Sequence, residues 1–188
     1  MLKYNRAVIR GAATALLLLA SVPLLAQNPT ASGVINATLV NKNGIALVFD
    51  SDPGGLTLGG AGSSIATADF GVVSAFGPLS AGVTRPAVTA ATFTVRTVFD
   101  VLVFQGGLNS NSYSLSVNLA AAAPTGFSYR VDAVTLTTAS QTLQTNATYG
   151  ANVPHNLDLI ISRAAPGAGG PAVGTPITAT INFTATSN

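Results

Sequence analysis

Apolar and polar residues alternate along much of the chain, and two segments alternate without interruption. From Tyr113 to Leu119, every second residue is apolar, and serine or asparagine occupies the positions between. From Ile177 to Ala185, isoleucine, alanine and phenylalanine alternate with threonine and asparagine. Successive side chains of a β-strand point to opposite faces, whereas a helix would scatter these apolar residues around its axis. The pattern therefore predicts two strands, each with one face on a core.

Other segments are rich in β-branched and aromatic residues, which also predicts strands. These segments are 34–40, 45–49, 68–73, 92–104, 127–131, 134–138 and 157–162. In the long segment 92–104, Leu102 and Phe104 make the second face apolar, which predicts a central strand buried on both sides. Arg96 and Asp100 interrupt this segment, a pattern typical of residues that limit aggregation.

The connections are rich in glycine, proline and serine, and none has a helical pattern. The longest are 50–64 and 164–175, while the Asn-Gly pair in 41–44 predicts a β-hairpin turn. Roughly eight or nine short strands without helices predict an all-β, antiparallel β-sandwich with immunoglobulin-like or jelly-roll topology. We expect residues 27–188 to form this single domain, because about 150 residues bury enough surface for one core.

Residues 1–26 have the composition of a signal peptide. A positive start is followed by a short apolar segment, and the small residue Ala26 suits the position before cleavage. The basic residues of this start are Lys3, Arg6 and Arg10. The apolar segment is shorter than the ~20 residues that cross a bilayer as a helix. We therefore expect an exported protein, located outside the cell, at its surface or in the periplasm, with no stable membrane insertion of the mature chain.

Charge and cysteine content argue against several classes of function. Residues 27–188 contain five basic and six acidic side chains, a formal charge of −1. Such a surface gives no counterion release for nucleic-acid binding and no attraction to anionic lipid. The chain has no cysteine, so disulfides, iron–sulfur clusters and thiol nucleophiles are absent. We expect no cofactor and no nucleic-acid partner.

His155, the single histidine, precedes the predicted strand at 157–162. A hydrolase would need this histidine beside a serine nucleophile and an orienting acid. The sequence contains no Gly-x-Ser-x-Gly segment of the kind that presents such a serine. We favour a hydrogen-bonded loop residue, and we predict no catalytic residues.

Asp50 and Asp52 resemble the start of a calcium-binding loop. The EF-hand pattern fails later in the loop, where Gly54 and Ala61 occupy positions that should be acidic. A looser site remains open, because aspartate carboxylates and backbone carbonyls suit Ca²⁺. Asp50 and Asp52 are the candidate metal ligands, and the interpretation we favour is an acidic turn without a metal.

Two further segments resemble secreted pilin-like and spore-coat-type β-sandwich domains. Residues 68–73, Ala-Asp-Phe-Gly-Val-Val, are similar to a Phe-Gly strand of those domains. Residues 174–186, in which threonine alternates with apolar residues, are similar to their closing strand. The resemblance implies a bacterial surface or extracellular assembly subunit and no enzyme activity.

The predicted function is that of a non-catalytic secreted or cell-surface structural protein. Charged residues make up 7% of the chain, so few charges protect its edge strands. We therefore expect self-association, or binding of another surface protein, through sheet edges. One alternative is an extracellular module that binds a glycan or Ca²⁺. For glycans, however, Tyr113 and Tyr129 lie in phase with core residues, which predicts packing and not an exposed platform. The other alternative is a hydrolase that uses His155.

Overall fold

The computed structural model describes residues 30–37, 44–107, 110–165, 167–171, 174 and 176–188. These residues form eleven β-strands and no helix. None of them therefore belongs to a helix long and apolar enough to cross a membrane. The predicted signal peptide lies outside the described residues.

The strands form two sheets. Their bounds are β1 Thr30–Ala37, β2 Ile45–Ser51, β3 Ile65–Val72, β4 Thr84–Val88, β5 Thr92–Gln105, β6 Tyr113–Leu119, β7 Phe127–Val131, β8 Val134–Thr135, β9 Gln141–Ala147, β10 Asn152–Ser162 and β11 Ile177–Ser187. Sheet A has the order β3-β1-β11-β6-β9. Sheet B has the order β2-β5-β10-β7-β8, and β4 also pairs with β5. The predicted all-β sandwich is confirmed.

The core lies between the two sheets because each long strand buries alternate side chains. In β6, buried and partly exposed residues alternate over the whole strand, as the sequence pattern predicts. Phe183 of sheet A contacts Phe49 and Phe99 of sheet B, with ring centroids 5.3 Å and 5.7 Å apart. Full burial of one such side chain stabilises the fold by roughly 1.5–3 kcal/mol. This aromatic cluster therefore holds the two layers together.

Strand β1 lies inside sheet A, parallel to β11 and antiparallel to β3. Ile35 of β1 is fully buried, opposite Ile181 on one side and Ala66 on the other. The next strand in sequence, β2, belongs to sheet B. The turn predicted at 41–44 lies largely outside the described residues, and the described strands on either side of it, β1 and β2, do not pair with each other. The β1–β11 pair also departs from the purely antiparallel arrangement that we expected.

Three segments cover one edge of β5, the longest strand. β2 pairs with residues 99–105 of β5, and β4 pairs with residues 93–96. The loop after β2 approaches the gap between them, where a Cβ atom on Gly55 would lie 1.8 Å from the carbonyl oxygen of Val98. Only glycine allows the loop backbone to come this close to the strand.

Several strand predictions need correction. β4 and β9 were not expected, and the strand predicted at 134–138 is reduced to Val134 and Thr135. The prediction that β5 is buried on both faces is wrong, since Phe104 is 45% exposed on the outer face. β5 is central because strands pair on both sides of it, and no second layer covers its outer face at Phe104.

Candidate cation site and other polar clusters

The two predicted metal ligands lie at the end of β2, beside a third carboxylate. Asp50 is paired with Asp100 of β5 in antiparallel register. Directly paired residues project from the same face, and these two lie on the outer face because their neighbours Phe49 and Val101 are buried in the core. Sequence reasoning treated Asp100 as a residue that limits aggregation and missed its pairing, which depends on strand register.

Asp100 is the least hydrated of the three carboxylates. It is 8% exposed, and no hydrogen-bond donor contacts it among the described residues. Burial raises the pKa of Asp100, and the negative charges of Asp52 and Asp50 raise it further. The other two carboxylates are better satisfied. Asp50 accepts the Ser51 N–H at 2.8 Å, and Asp52 accepts the Gly54 N–H at 2.7 Å.

In the part of the chain that the structure describes, no three histidine or acidic side chains are arranged so that they could hold a metal ion. The cation site at Asp50 and Asp52 therefore remains a prediction, and the described geometry does not add Asp100 as a third ligand. The arrangement does concentrate negative charge. None of the three carboxylates forms an ion pair with a described basic side chain.

A second polar cluster lies further along the outer face of sheet B. Asp158 of β10 is paired in register with Arg96 of β5 and Arg130 of β7. Arg96 donates from Nε to Oδ1 of Asp158 at 2.6 Å and from Nη2 to Oδ2 at 3.0 Å. Arg130 donates from Nε and Nη2 to Oδ2 at 2.9 Å and 2.6 Å. One carboxylate thus ties three adjacent strands together.

The two arginines bury the Asp158 carboxylate almost completely. Its side chain is 1% exposed, whereas those of Arg96 and Arg130 are 33% and 31% exposed. Burial opposes ionisation, but the hydrogen bonds and charges of the two arginines outweigh it and lower the pKa of Asp158. Arg96 is therefore the ion-pair partner of a buried carboxylate. The sequence shows only that Arg96 interrupts an apolar segment and does not indicate this role.

His155 lies inside β10 and is 1% exposed, so its prediction as a loop residue is wrong. Its Nδ1 lies 2.5 Å from Oδ2 of Asp132, whose Oδ1 accepts the Asn156 N–H at 2.8 Å. Burial opposes ionisation of Asp132, but the bonds from His155 and Asn156 outweigh it and lower its pKa. The Asp132 carboxylate therefore fastens the turn between β7 and β8 to β10.

His155 and Asp132 correspond to the histidine and the acid of a catalytic triad, but no serine or threonine hydroxyl of the described residues is hydrogen-bonded to His155. The Nε2 atom of His155 is buried and has no hydrogen-bond partner among the described residues. On one side the imidazole packs against Phe99, with ring centroids 5.9 Å apart. A substrate could reach this nitrogen only if the core opened. The geometry gives the hydrolase alternative no support.

A third cluster presents an aromatic ring to solvent. Arg85 donates from Nε to the Ser74 carbonyl at 3.0 Å and from Nη2 to the Gly77 carbonyl at 2.6 Å. These bonds fix a short loop that carries Phe76, which is 77% exposed. The guanidinium of Arg163 lies over this ring, 5.2 Å from its centroid, and donates to the Thr89 carbonyl. Sequence reasoning missed this cluster, because its residues are scattered over ninety positions of the chain.

Both tyrosines considered as glycan platforms are buried, as predicted. Tyr113 is fully buried, and Tyr129 is 5% exposed. Burial raises the pKa of Tyr129 to about 12. Neither ring offers a surface on which a sugar could stack.

Comparisons with known proteins leave the family open. No family model and no curated protein matches the chain. Among solved structures, the major pilin protein (T-13) from Streptococcus pyogenes serotype GAS131465 aligns over 86% of this chain and 98% of its own. The two sequences are 9% identical, and the TM-score is 0.13. An alignment with a TM-score this low does not establish a shared fold.

Proposed function

We propose that the chain is a non-catalytic structural subunit, exported to the cell surface, that assembles with copies of itself by exchanging strand β1. The observation that carries the proposal is the position of β1 between β3 and β11. Two polar clusters add support, because their side chains hold parts of the fold together. Asp158 joins three strands through two arginines, and the His155–Asp132 pair joins a turn to a strand. The exposed loop that carries Phe76 does not belong to these clusters, and this proposal gives it no role.

Sheet A needs a strand in the position of β1, and this strand could come from the same chain or from another copy of the protein. β1 pairs over seven positions with β11 and over seven with β3. Without β1, the edge strand β3 would lose its neighbour in the sheet, β11 would expose unpaired N–H and C=O groups, and the buried site of Ile35 would be empty. An identical segment from a neighbour would restore the same bonds, which is the basis of strand exchange between protomers.

The outer edges of the sheets are less suited to adding a strand. Phe49 of β2 exchanges backbone hydrogen bonds with the 62–63 loop, and Gly59 pairs with Thr67 of β3. β4 contains Pro86, and β8 has two residues. β9 has two register shifts and a positive φ at Asn146. Such features protect edges from pairing with other chains. We therefore favour the site of β1 over these edges as the place where copies join.

Cysteine cross-linking tests the proposal cleanly, because the chain has no cysteine of its own. Asn36 of β1 is paired with Asn182 of β11. We would prepare Asn36→Cys and Asn182→Cys as separate full-length variants, refold them together and oxidise the mixture. Strand exchange predicts a disulfide-linked pair that contains one copy of each variant, visible by non-reducing electrophoresis and mass spectrometry.

The control replaces Asn182→Cys with Asn118→Cys. Asn118 of β6 is paired with Asn182, so it lies one strand further from β1. Two strand spacings are about 9.6 Å, beyond the ~7 Å over which a disulfide forms. Cross-links with Asn182→Cys and not with Asn118→Cys are the expected result. The proposal is overturned if only the double variant Asn36→Cys/Asn182→Cys cross-links, and does so within one copy.

Calcium binding by Asp50 and Asp52 is the second candidate function, and the negative charge that collects where these two residues approach Asp100 is the observation that favours it. Extracellular calcium modules bind with Kd of about 10⁻⁴–10⁻³ M. Isothermal titration of the protein with CaCl2 should give saturable heat in this range, and Asp52→Ala should reduce it. Absence of heat from both proteins would eliminate the metal site.

A further inference from the structure

One surface of the protein combines an exposed aromatic ring with two basic side chains. Phe76 is 77% exposed, and the guanidinium of Arg163 lies over its ring, 5.2 Å from the centroid. Arg85 donates to the carbonyls of Ser74 and Gly77, which lie on either side of Phe76 in the chain. We call Phe76, Arg85 and Arg163 the arginine–aromatic patch. It presents apolar and positively charged groups side by side.

The loop that carries the exposed ring is fixed before any partner binds. Ala75 and Leu79, on either side of Phe76 in the chain, pack against the hydrophobic core. The Gly77 N–H donates to the Ser74 hydroxyl at 2.7 Å, in addition to the two guanidinium bonds described above. A ring held in this way loses little conformational entropy when a ligand stacks on it, so more of the contact energy remains as affinity.

The positive charge of the patch is not neutralised by any carboxylate of the described residues. Neither Arg85 nor Arg163 takes part in an ion pair with one of them. Their described contacts are with backbone carbonyls and with the face of Phe76, which carry no formal charge. A guanidinium has five N–H donors, and these bonds use only one or two of them. The patch is therefore complementary to an anionic ligand that also has an apolar face.

The size of the patch decides which anionic partner it fits. Basic clusters that hold a protein on anionic lipid contain about four to eight lysines and arginines, and this patch has two. A stable protein interface buries about 800 Å² of each partner. Across 73–88, all of which the structure describes, Phe76 and Val88 are the large apolar residues that are exposed. An acidic sugar needs less, because its ring stacks on one aromatic side chain and its carboxylate pairs with a guanidinium.

We propose that the arginine–aromatic patch binds an acidic polysaccharide, with a sugar ring against Phe76 and uronate carboxylates at Arg163 and Arg85. Arginine suits this role because its planar donors match the two oxygens of a carboxylate. Sequence reasoning looked for a glycan platform among the tyrosines and missed this phenylalanine. The inference goes beyond the proposed function and does not depend on strand exchange, since no residue of the patch belongs to β1 or to the strands that pair with it.

Calorimetric titration with uronic-acid oligomers tests this proposal. The probes are short oligomers of galacturonate, of mannuronate and of glucuronate, added to the wild-type protein at low ionic strength, and at least one of them should bind. Phe76→Ala and Arg163→Gln should each weaken this binding at least about fivefold, because each removes one of the two kinds of contact. Phe76→Tyr keeps an aromatic ring and should retain the affinity.

A second exposed phenylalanine supplies the matched control. Phe104 is 45% exposed and is paired with Ala46, whereas Arg163 follows the residue paired with Thr92 at the other end of β5. Phe104→Ala should therefore leave binding unchanged, and thermal unfolding shows whether each variant keeps the fold. Methyl esters of the same oligomers remove the carboxylate charge. With these esters Arg163→Gln should no longer reduce the affinity, whereas Phe76→Ala still should.

The outcomes separate this inference from the proposed function. Sugar binding by the patch is overturned if none of the oligomers binds, or if Phe76→Ala and Arg163→Gln leave the affinity unchanged. Binding to phosphatidylglycerol vesicles and to no oligomer, with the same dependence on both residues, would assign the patch to lipid and also overturn it. Absence of the cross-link between Asn36→Cys and Asn182→Cys would overturn strand exchange alone, because the titration does not depend on it.

Discussion

Single carboxylates in this protein have opposite effects on stability, although all are aspartates. Asp132 and Asp158 have lowered pKa values because their partners stabilise the ionised forms. Their contribution to stability is present above the unfolded-state pKa, near 3.8, and is lost as the pH falls through the folded-state pKa. Asp100 has a raised pKa. Its ionised form therefore weakens the folded state at neutral pH, and this penalty disappears as the pH falls through the raised pKa.

We predict that Asp100→Asn stabilises the monomer. Removing one of two like charges directly opposite on a sheet should raise the free energy of unfolding at pH 7 by roughly 0.2–1 kcal/mol. Urea denaturation at pH 7 and at acidic pH measures the effect, which should shrink as Asp100 of the wild type becomes protonated. Asp69→Asn, at an exposed position, should change stability by less than about 0.5 kcal/mol. A destabilised Asp100→Asn would contradict the prediction.

At the scale of strands and loops, the sequence predicts those elements whose alternation is regular. β6 and β11 follow the pattern throughout, since one face of each lies on the core. β4 and β9 do not, because both are edge strands with little burial and irregular pairing. β10 begins earlier than predicted because Pro154 and Asn156 interrupt the apolar pattern around the buried His155.

The loop that follows β2 packs against β5 of sheet B, although it does not form the regular hydrogen bonds of a strand. The Leu56 N–H donates to the Thr97 hydroxyl at 2.8 Å, and the Leu56 side chain is 6% exposed. Gly55 brings the loop backbone against Val98. This loop therefore continues the cover of β5 between β2 and β4.

We predict that Gly55→Ala is strongly destabilising. The added methyl group would lie 1.8 Å from the Val98 carbonyl oxygen, so the loop must move away from β5, at a cost of at least about 2 kcal/mol. Gly54→Ala is the matched control, because its nearest neighbour is the flexible Asp52 side chain at 3.2 Å. Thermal unfolding of both variants measures the difference. Equal melting temperatures would show that the contact at Gly55 does not hold the loop in place.

At the scale of the whole molecule, the sequence predicts the architecture and leaves the strand order open. Alternation reports which face of a strand is buried, and this is enough to indicate two stacked sheets. It does not report which strand lies beside which, so β1 between β3 and β11 could not be foreseen. For the same reason the sequence does not show that Asp100 lies beside Asp50, because strand pairing brings together two residues that are fifty positions apart.

The parallel pairing of β1 with β11 has a mechanical consequence. In a parallel pair, Thr30 at the start of β1 and Asn188 after the end of β11 lie toward opposite ends. Tension applied at these two residues acts along the strands, so the hydrogen bonds between them are loaded together in shear. In an antiparallel pair the same pull would open the bonds one after another, like a zipper. A domain closed by such a pair resists tension applied between these two residues.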